Sequence, residues 1–338
     1  MLNMDVFRGD AFSMQELTAA VLEAPYVPRK IGDLGIFEYE GVPTTSVMIE
    51  KVKTTLVLVK TTPRGGPAQQ NVRDPRNLIT VPTSRIALEE NVTADEIQGV
   101  REFGTPQLTT LQSEINKRNV RQSNNIEATL EYHRVGALKG KVVDSDGSTL
   151  IDAFDLFGVT PQTEIDFDLD NASPAEGALR QKCSDVIRLI EDELGQDSNS
   201  GVYGMASSQF FDKLVAHKEY RAAYLNTERG ESKLVGRVAR RQVEFGGITF
   251  EEYRGSVGGT KYVADEKCHF IPMGVPQLFV GRFAPAEWWD TVNTIGLPRY
   301  ARVFLDPKYP DSQVSAHVQC QPLHICTRPR VLIPARMT

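Results

Sequence analysis

Histidine and cysteine are scarce in this chain, five and four in 338 residues, and they do not fall into spacings that a catalytic or structural metal requires. Cys183, Cys268, Cys320 and Cys326 are irregularly placed, which excludes a disulfide framework and implies reduced thiols in a cytoplasm-like compartment. No stretch approaches the roughly 18 apolar residues of a membrane-crossing helix, and the first 30 residues lack the basic-then-apolar pattern of a secretion signal. Long basic runs are missing as well. The 38 basic and 44 acidic residues are interspersed, net -6, so the composition excludes a protein built to grip a phosphate backbone. With 41% hydrophobic residues the chain can bury a large core divided over more than one subdomain.

Segments that invite a catalytic reading fail on their own chemistry. GSVGGTK, residues 255–261, carries Thr260 where a phosphate loop needs glycine before Lys261, and reads as a glycine turn between strands. GMASSQ, residues 204–209, lacks the second glycine of a nucleophile elbow, leaving Ser208 as a helix cap. TEIDFDLD, residues 163–170, alternates acids with Ile165, Phe167 and Leu169, which suits a strand with one solvated face rather than a calcium loop. Trp288 and Trp289 beside Asp290 read as aromatic anchors in a core or an interface. HVQCQPLHIC, residues 317–326, is the densest concentration of possible ligands: His317, Cys320, His324 and Cys326. On one extended strand, at roughly 3.3 Å per residue, the two cysteines would lie about 20 Å apart, too far for one ion. His324 and Cys326 alone could form half a site, so a metal-dependent enzyme stays open as a minor alternative, while no metal, cofactor or catalytic residue is expected.

The secondary-structure signals are informative. Met14, Leu17, Val21 and Leu22 fit a short amphipathic helix within an arm rich in proline and glycine. Residues 48–60 and 77–88 are β-branched and read as a long hairpin, joined by TTPRGGPAQQNVRDPR, a connection far longer than an ordinary hairpin loop. Thr93 and Glu96 form a capping-box pattern, and Thr105 with Pro106 restarts a helix that runs without proline to Gly140. That helix is apolar at its ends, through Leu108, Leu111, Ile115 and then Ile126, Leu130, Leu138. Its middle, NKRNVRQSNN (116–125), is polar and expected to be partly solvated or met by another subunit, with a break near Gly136 as the alternative. KVVDSDGSTLI reads as a tight hairpin turning at Asp146 and Gly147. A helix capped by Ser173 follows, with Cys183 on its core face and Gly195 at its end. Short strands and glycine turns then alternate from about 243 to 283, and the tail is mostly extended. The order of elements implies an α+β fold.

Three stretches, RIALEENVTADEIQGVRE, ATLEYHRVGALKGKVVDSDG and RYARVFLDPKYPDSQVSAHVQCQPLHICTRPRVLI, in this order, resemble the major capsid proteins of tailed phages, in the lambda-like capsid protein E family. The resemblance implies the Hong Kong 97-type fold. It maps 1–45 to an N-terminal arm, 46–90 to an extended loop and 91–164 to the spine helix and peripheral domain. Residues 165–300 correspond to the axial domain and 301–338 to a return to the peripheral sheet. It further implies self-assembly into pentamers and hexamers that close an icosahedral shell around double-stranded DNA. That shell belongs to a virion assembled in the host cytoplasm, without a membrane and without sequence-specific DNA binding. A separate scaffolding protein, since no long helical extension serves as a built-in scaffold, and a portal are the expected partners, and shell stability is expected to rest on buried contacts or on a decoration protein. An encapsulin-like compartment around a protein cargo is the alternative of the same fold. The interface residues expected from this resemblance are Arg64, Arg73, Asp74 and Arg76 in the hairpin tip, with Lys117, Arg118 and Arg121 on the spine, as groups able to make directional charged contacts.

Overall fold

The computed structural model describes residues 30–51, 77–98, 111–171, 173–195, 197–225, 242–257, 259–308 and 312–338. The helix expected around Met14, the tip of the long hairpin and the helix start at Thr105 and Pro106 lie outside the described residues. In chain order, α1 (Lys30–Asp33), β1 (Glu38–Gly41), β2 (Ser46–Lys51), β3 (Asn77–Pro82), β4 (Ile86–Thr93) and α2 (Ala94–Ile97) precede a long helix, α3 (Leu111–Leu138). They are followed by β5 (Lys141–Val143), β6 (Thr149–Asp152), α4 (Ala153–Phe157), β7 (Ile165–Asp166), α5 (Ala178–Leu194), β8 (Gly201–Ala206), α6 (Ser208–Ala216) and α7 (Lys218–Leu225). The rest is mainly strand: β9 (Gln242–Phe245), β10 (Ile248–Glu252), β11 (Ser256–Val257), β12 (Thr260–Lys261), β13 (Lys267–Met273) and β14 (Phe279–Phe283). The last strands are β15 (Tyr300–Leu305), β16 (Gln313–Cys320), β17 (Pro322–Cys326) and β18 (Ile333–Arg336).

These elements gather into two compact units. One draws on stretches within Met1–Met48, Thr80–Arg134 and Val280–His324, the other within Ile49–Ile79, Val135–Phe279 and Ile325–Thr338. In the first unit, β15, β16 and β4 form an antiparallel sheet in which His317 pairs with Arg302 and Glu89. The pleat sends alternate residues to one face. Ile86, Leu88 and Val92 of β4 and Val314, Ala316, Val318 and Cys320 of β16 therefore pack on Ile115, Ile126 and Leu130 of α3. The β-rich run expected over 77–88 is two strands. β3 pairs with β2, and the chain then starts again as β4 in the other sheet.

In the second unit a six-stranded sheet runs β7-β18-β13-β8-β10-β9. The β8 and β10 strands are parallel, which requires a crossover, and α6 and α7 lie in that connection. The β9–β10 turn is Gly246–Gly247, both at positive φ (60° and 84°), the two-residue geometry that matches strand twist and that glycine adopts without steric cost. Phe167, Phe210, Phe250 and Phe270 meet over this sheet with ring centroids 5.4 to 6.5 Å apart. Cys183 is fully buried on α5, and Gly195 ends that helix, both as expected.

Three capping assignments are corrected. Ser207, not Ser208, caps α6, accepting from Phe210 N at 3.3 Å. Ser173 does not cap α5, which begins after Gly177. Its first N–H groups donate instead to the Glu219 carboxylate, Leu179 N at 3.2 Å and Arg180 N at 3.3 Å. Thr93 stands at the N-cap of α2 without a side-chain cap bond, and the Glu96 carboxylate pairs with Arg118 instead of reaching back. The acidic segment keeps its alternation, with Phe167 and Leu169 buried, but only Ile165–Asp166 is regular strand because Asp168 turns at φ 52°.

No break occurs at Gly136. The helix continues to Leu138, and a Cβ at Gly136 would stand 2.9 Å from Lys141 O and 3.0 Å from Val142 Cα, so the residue lets β5 approach the helix closely. Alanine normally gains about 1 kcal/mol over glycine inside a helix. Here Gly136→Ala is expected to destabilise by about 1–3 kcal/mol through overpacking. Urea unfolding of the purified chain checks this, and an unchanged or raised midpoint would refute the packing argument.

Candidate functional site

The polar stretch of α3 is its most informative feature. Asn119, Gln122, Ser123, Glu127, Glu131 and Arg134 are all buried. The middle, 116–125, is partly solvated as expected, with Lys117, Arg121 and Asn125 exposed, but one face of it, Asn119, Gln122 and Ser123, is buried within the chain itself, and the buried polar row continues through Glu127, Glu131 and Arg134. Asn119, Ser123, Glu127 and Glu131 recur every four residues, a helical stripe beside the apolar one formed by Ile115, Ile126 and Leu130. Gln122 Nε2 donates to Ala316 O of β16 at 3.1 Å, tying helix to sheet through a backbone acceptor on the same strand as Val318.

Four charges lie along this seam. Arg134 Nη1 donates to Glu127 Oε1 at 2.7 Å and to Glu131 Oε2 at 3.1 Å, with all three side chains at most 6% exposed. Arg299, from the segment before β15, pairs with the other Glu127 oxygen and donates to Ser123 Oγ at 2.6 Å. Two carboxylates face two guanidinium groups, so the buried cluster is formally neutral. Glu131 does more. Its carboxylate accepts from Ile31 N at 2.6 Å and Gly32 N at 3.2 Å, fastening the first turn of α1 to α3. Arg134 Nε donates to Tyr39 Oη at 2.7 Å, which holds β1 at the same place.

A second charged hub lies nearer the start of α3. Arg118 pairs with Glu90, Glu96 and Glu114 and donates to Asn91 O at 2.6 Å, joining β4, α2 and α3. Of the expected interface residues, Arg118 is thus engaged within its own chain. Lys117 and Arg121 are exposed, Lys117 within 3.8 Å of Glu114, whereas Arg64, Arg73, Asp74 and Arg76 lie outside the described residues.

HVQCQPLHIC proves to be two strands in two sheets. His317 and Cys320 lie in β16 of the β15-β16-β4 sheet, and after Gln321 the chain enters β17 of the β1-β14-β17 sheet with His324 and Cys326. Pro322 opens the new strand, a position where its missing N–H is tolerated. His324 is enclosed edge-on by Phe37, Tyr39 and Phe283, and among the described residues neither ring nitrogen has a hydrogen-bond partner. Burial, then nearby Arg134 and His133, holds its pKa well below the ordinary 6.5. Burial likewise raises the Cys326 thiol to about 12 and pushes Cys320 upward, so these are packed thiols rather than thiolate ligands. Among the described residues no group of three or more His, Cys, Asp or Glu is placed to hold an ion.

Solved structures share this fold. A protein from a prophage of E. coli CFT073 assigned as a capsid protein superposes with TM-score 0.54 at 14% identity, covering 94% of this chain and 95% of that one. The capsid of Ralstonia phage GP4 gives TM-score 0.50 at 10% identity over 90% of this chain and 87% of its own. The fold is the Hong Kong 97-type capsid fold. Sequence relatives narrow it further: the major capsid protein of Pseudomonas phage KPP10 is 30% identical over 88% of this chain and 89% of its own length. That of Salmonella phage Felix O1 is 25% identical over 96% of both. The profile of the phage major capsid protein E family matches residues 13–337, and the chain belongs to that family, whose members are structural components of the phage virion shell.

Sequence reasoning missed Glu127, Glu131, Arg134 and Arg299. The four-residue recurrence of polar positions was visible, but their burial was not, because the partners lie 100 and 172 residues away. Removing one member of such a cluster strands a buried charge, so Arg134→Met is expected to destabilise by about 3–5 kcal/mol, measured by chemical unfolding. For His324 the sign is set by its depressed pKa. As pH falls below about 6.5 the unfolded chain takes up the proton first, so stability present above that value is lost below it. His324→Leu should therefore show a smaller loss of melting temperature between neutral and mildly acidic pH than the wild type; equal losses would contradict the assignment.

Proposed function

We propose that the chain self-assembles into pentamers and hexamers that close an icosahedral shell around double-stranded DNA. Membership of the capsid protein E family across residues 13–337 carries this reading. It also supports the phage shell over an encapsulin-like compartment, and a structural subunit over an enzyme. In the same reading, residues 1–45 act as the arm, 46–90 as the extended loop and 91–164 as the spine and peripheral domain. Residues 165–300 form the axial domain and 301–338 the return. Assembly takes place in the host cytoplasm with a separate scaffolding protein, a portal and a decoration protein. The mixed surface charge suits an inner wall that confines DNA without gripping it.

Charged contacts between subunits are assigned to Arg64, Arg73, Asp74 and Arg76 and to the exposed Lys117 and Arg121 of the spine. Arg118 serves its own chain first and would meet a neighbour only through its hub. Expression of the chain with its scaffolding protein should yield closed particles in negative-stain micrographs; a chain that stays monomeric under all assembly conditions would sink the proposal. Arg73→Ala with Arg76→Ala should impair particle formation while leaving the thermal unfolding of the subunit unchanged. Normal particles from that double variant would remove the tip from the interface.

A further inference from the structure

The segment between β14 and β15 exposes an unusual amount of apolar surface. Trp289 is 92% exposed, Ile295 68%, Val292 55% and Leu297 40%, four large side chains within nine residues. The loop carrying them is tightly braced. Thr291 Oγ1 donates to Ala286 O at 2.6 Å and Trp288 O at 2.9 Å, Thr294 Oγ1 donates to Thr291 O at 2.8 Å, and Leu297 N donates to Tyr300 Oη at 2.9 Å. Gly296 N donates to Val42 O at 3.1 Å, and the backbones approach so closely that a Cβ on Gly296 would stand 2.0 Å from Phe283 O. Trp288 is turned inward, edge-on to Tyr300 and Phe304, while its neighbour Trp289 points out. At the loop's end, Arg299 is held by Ser123 and Glu127 of the spine.

We infer that this braced loop is a subunit–subunit contact, seated on a second copy of the chain; the inference rests on the shell-forming function proposed above. Ordering a loop through this many bonds while leaving its largest side chains in water offers the folded subunit nothing by itself, because the hydrophobic gain comes only on burial. One nearly free tryptophan with three half-exposed aliphatic side chains presents on the order of 400 Å² of apolar surface. That is about half of what each partner contributes to an ordinary stable interface, roughly 800 Å². The patch therefore has the size of an interface centre rather than of a whole interface, and tryptophan is the residue type that dominates such centres. The rim identifies the partner's charge. Arg85 pairs with Glu287 at 2.5 Å and Arg302 with Asp290 at 3.0 Å, so the surround is neutral, offering nothing to select a polyanion such as DNA or a strongly charged protein. A neighbouring copy, present in every capsomer, meets these conditions.

The chain's two tryptophans make the contact directly measurable, since Trp288 is buried in the subunit and Trp289 is not. Acrylamide quenching of tryptophan emission should fall several-fold when dispersed subunits assemble, with the emission moving to the blue. Trp289→Glu combined with Ile295→Glu should raise the subunit concentration needed for particle formation at least tenfold, with circular dichroism and thermal unfolding of the dispersed subunit unchanged. Wild-type particles whose tryptophan stays as quenchable as in free subunits, or normal particles from the double variant, overturn the contact and leave the shell function intact. A wild-type chain that forms no particles removes both.

Discussion

Glu127 and Glu131 can be buried as anions only if a cation reaches each of them, and the first unit is arranged around meeting that condition. Arg134, one and two turns further along the same helix, supplies one guanidinium to both carboxylates, and Arg299 supplies the other from the approach to β15. The isolated desolvation of such groups would cost several kcal/mol per ion, which mutual pairing offsets only when the geometry satisfies most donors and acceptors. Satisfying them is what fixes the neighbours. The second Glu131 oxygen and the first share α1 through Ile31 and Gly32, and the spare Arg134 donor takes Tyr39. Apolar packing alone would let α1 and β1 slide, since dispersion is non-directional; charge-assisted hydrogen bonds impose a register.

That rigidity has a use in a shell subunit. Contacts between capsid subunits must present the same surface in every copy, so the segments that carry them need a defined position before association rather than after it. The spine seam provides the support and the loop after β14 provides the surface, linked through Arg299. The Arg118 hub does comparable work at the other end of the described helix, tying β4 and α2 to the spine. The second unit is built differently, on a sheet stabilised by four packed phenylalanines and by glycine turns.

Much of the architecture was legible. The β5–β6 hairpin at Asp146–Gly147, the helix carrying Cys183, the stop at Gly195 and the glycine turns after 243 all follow from local chemistry, and each is present. Helix caps were harder. Ser173 lies four residues before the Gly177 N-cap, and the first N–H groups of that helix are taken by Glu219 from elsewhere in the chain, while Glu96, the reciprocal partner of a Thr93 capping box, pairs with Arg118 instead. The same limitation explains Gly136, which reads as a weak point in a helix until β5 is seen against it.

The amino-acid sequence alone placed most of the described helices, strands and turns, argued against membrane-spanning helices and a disulfide framework, and carried the resemblance to phage shell proteins. Those properties depend on periodicity, turn residues and composition, all of which act over a few residues. What only the tertiary structure decided was the fate of the polar side chains. Whether Glu127 is solvated or paired depends on Arg299, 172 residues away. Whether His324 is a ligand or a packed ring depends on Phe37 and Phe283, and whether Trp288 or Trp289 faces the solvent depends on Tyr300 and Phe304. Burial is a property of long-range encounters, and the free energy of a charge or an imidazole is set by what surrounds it rather than by its neighbours in sequence.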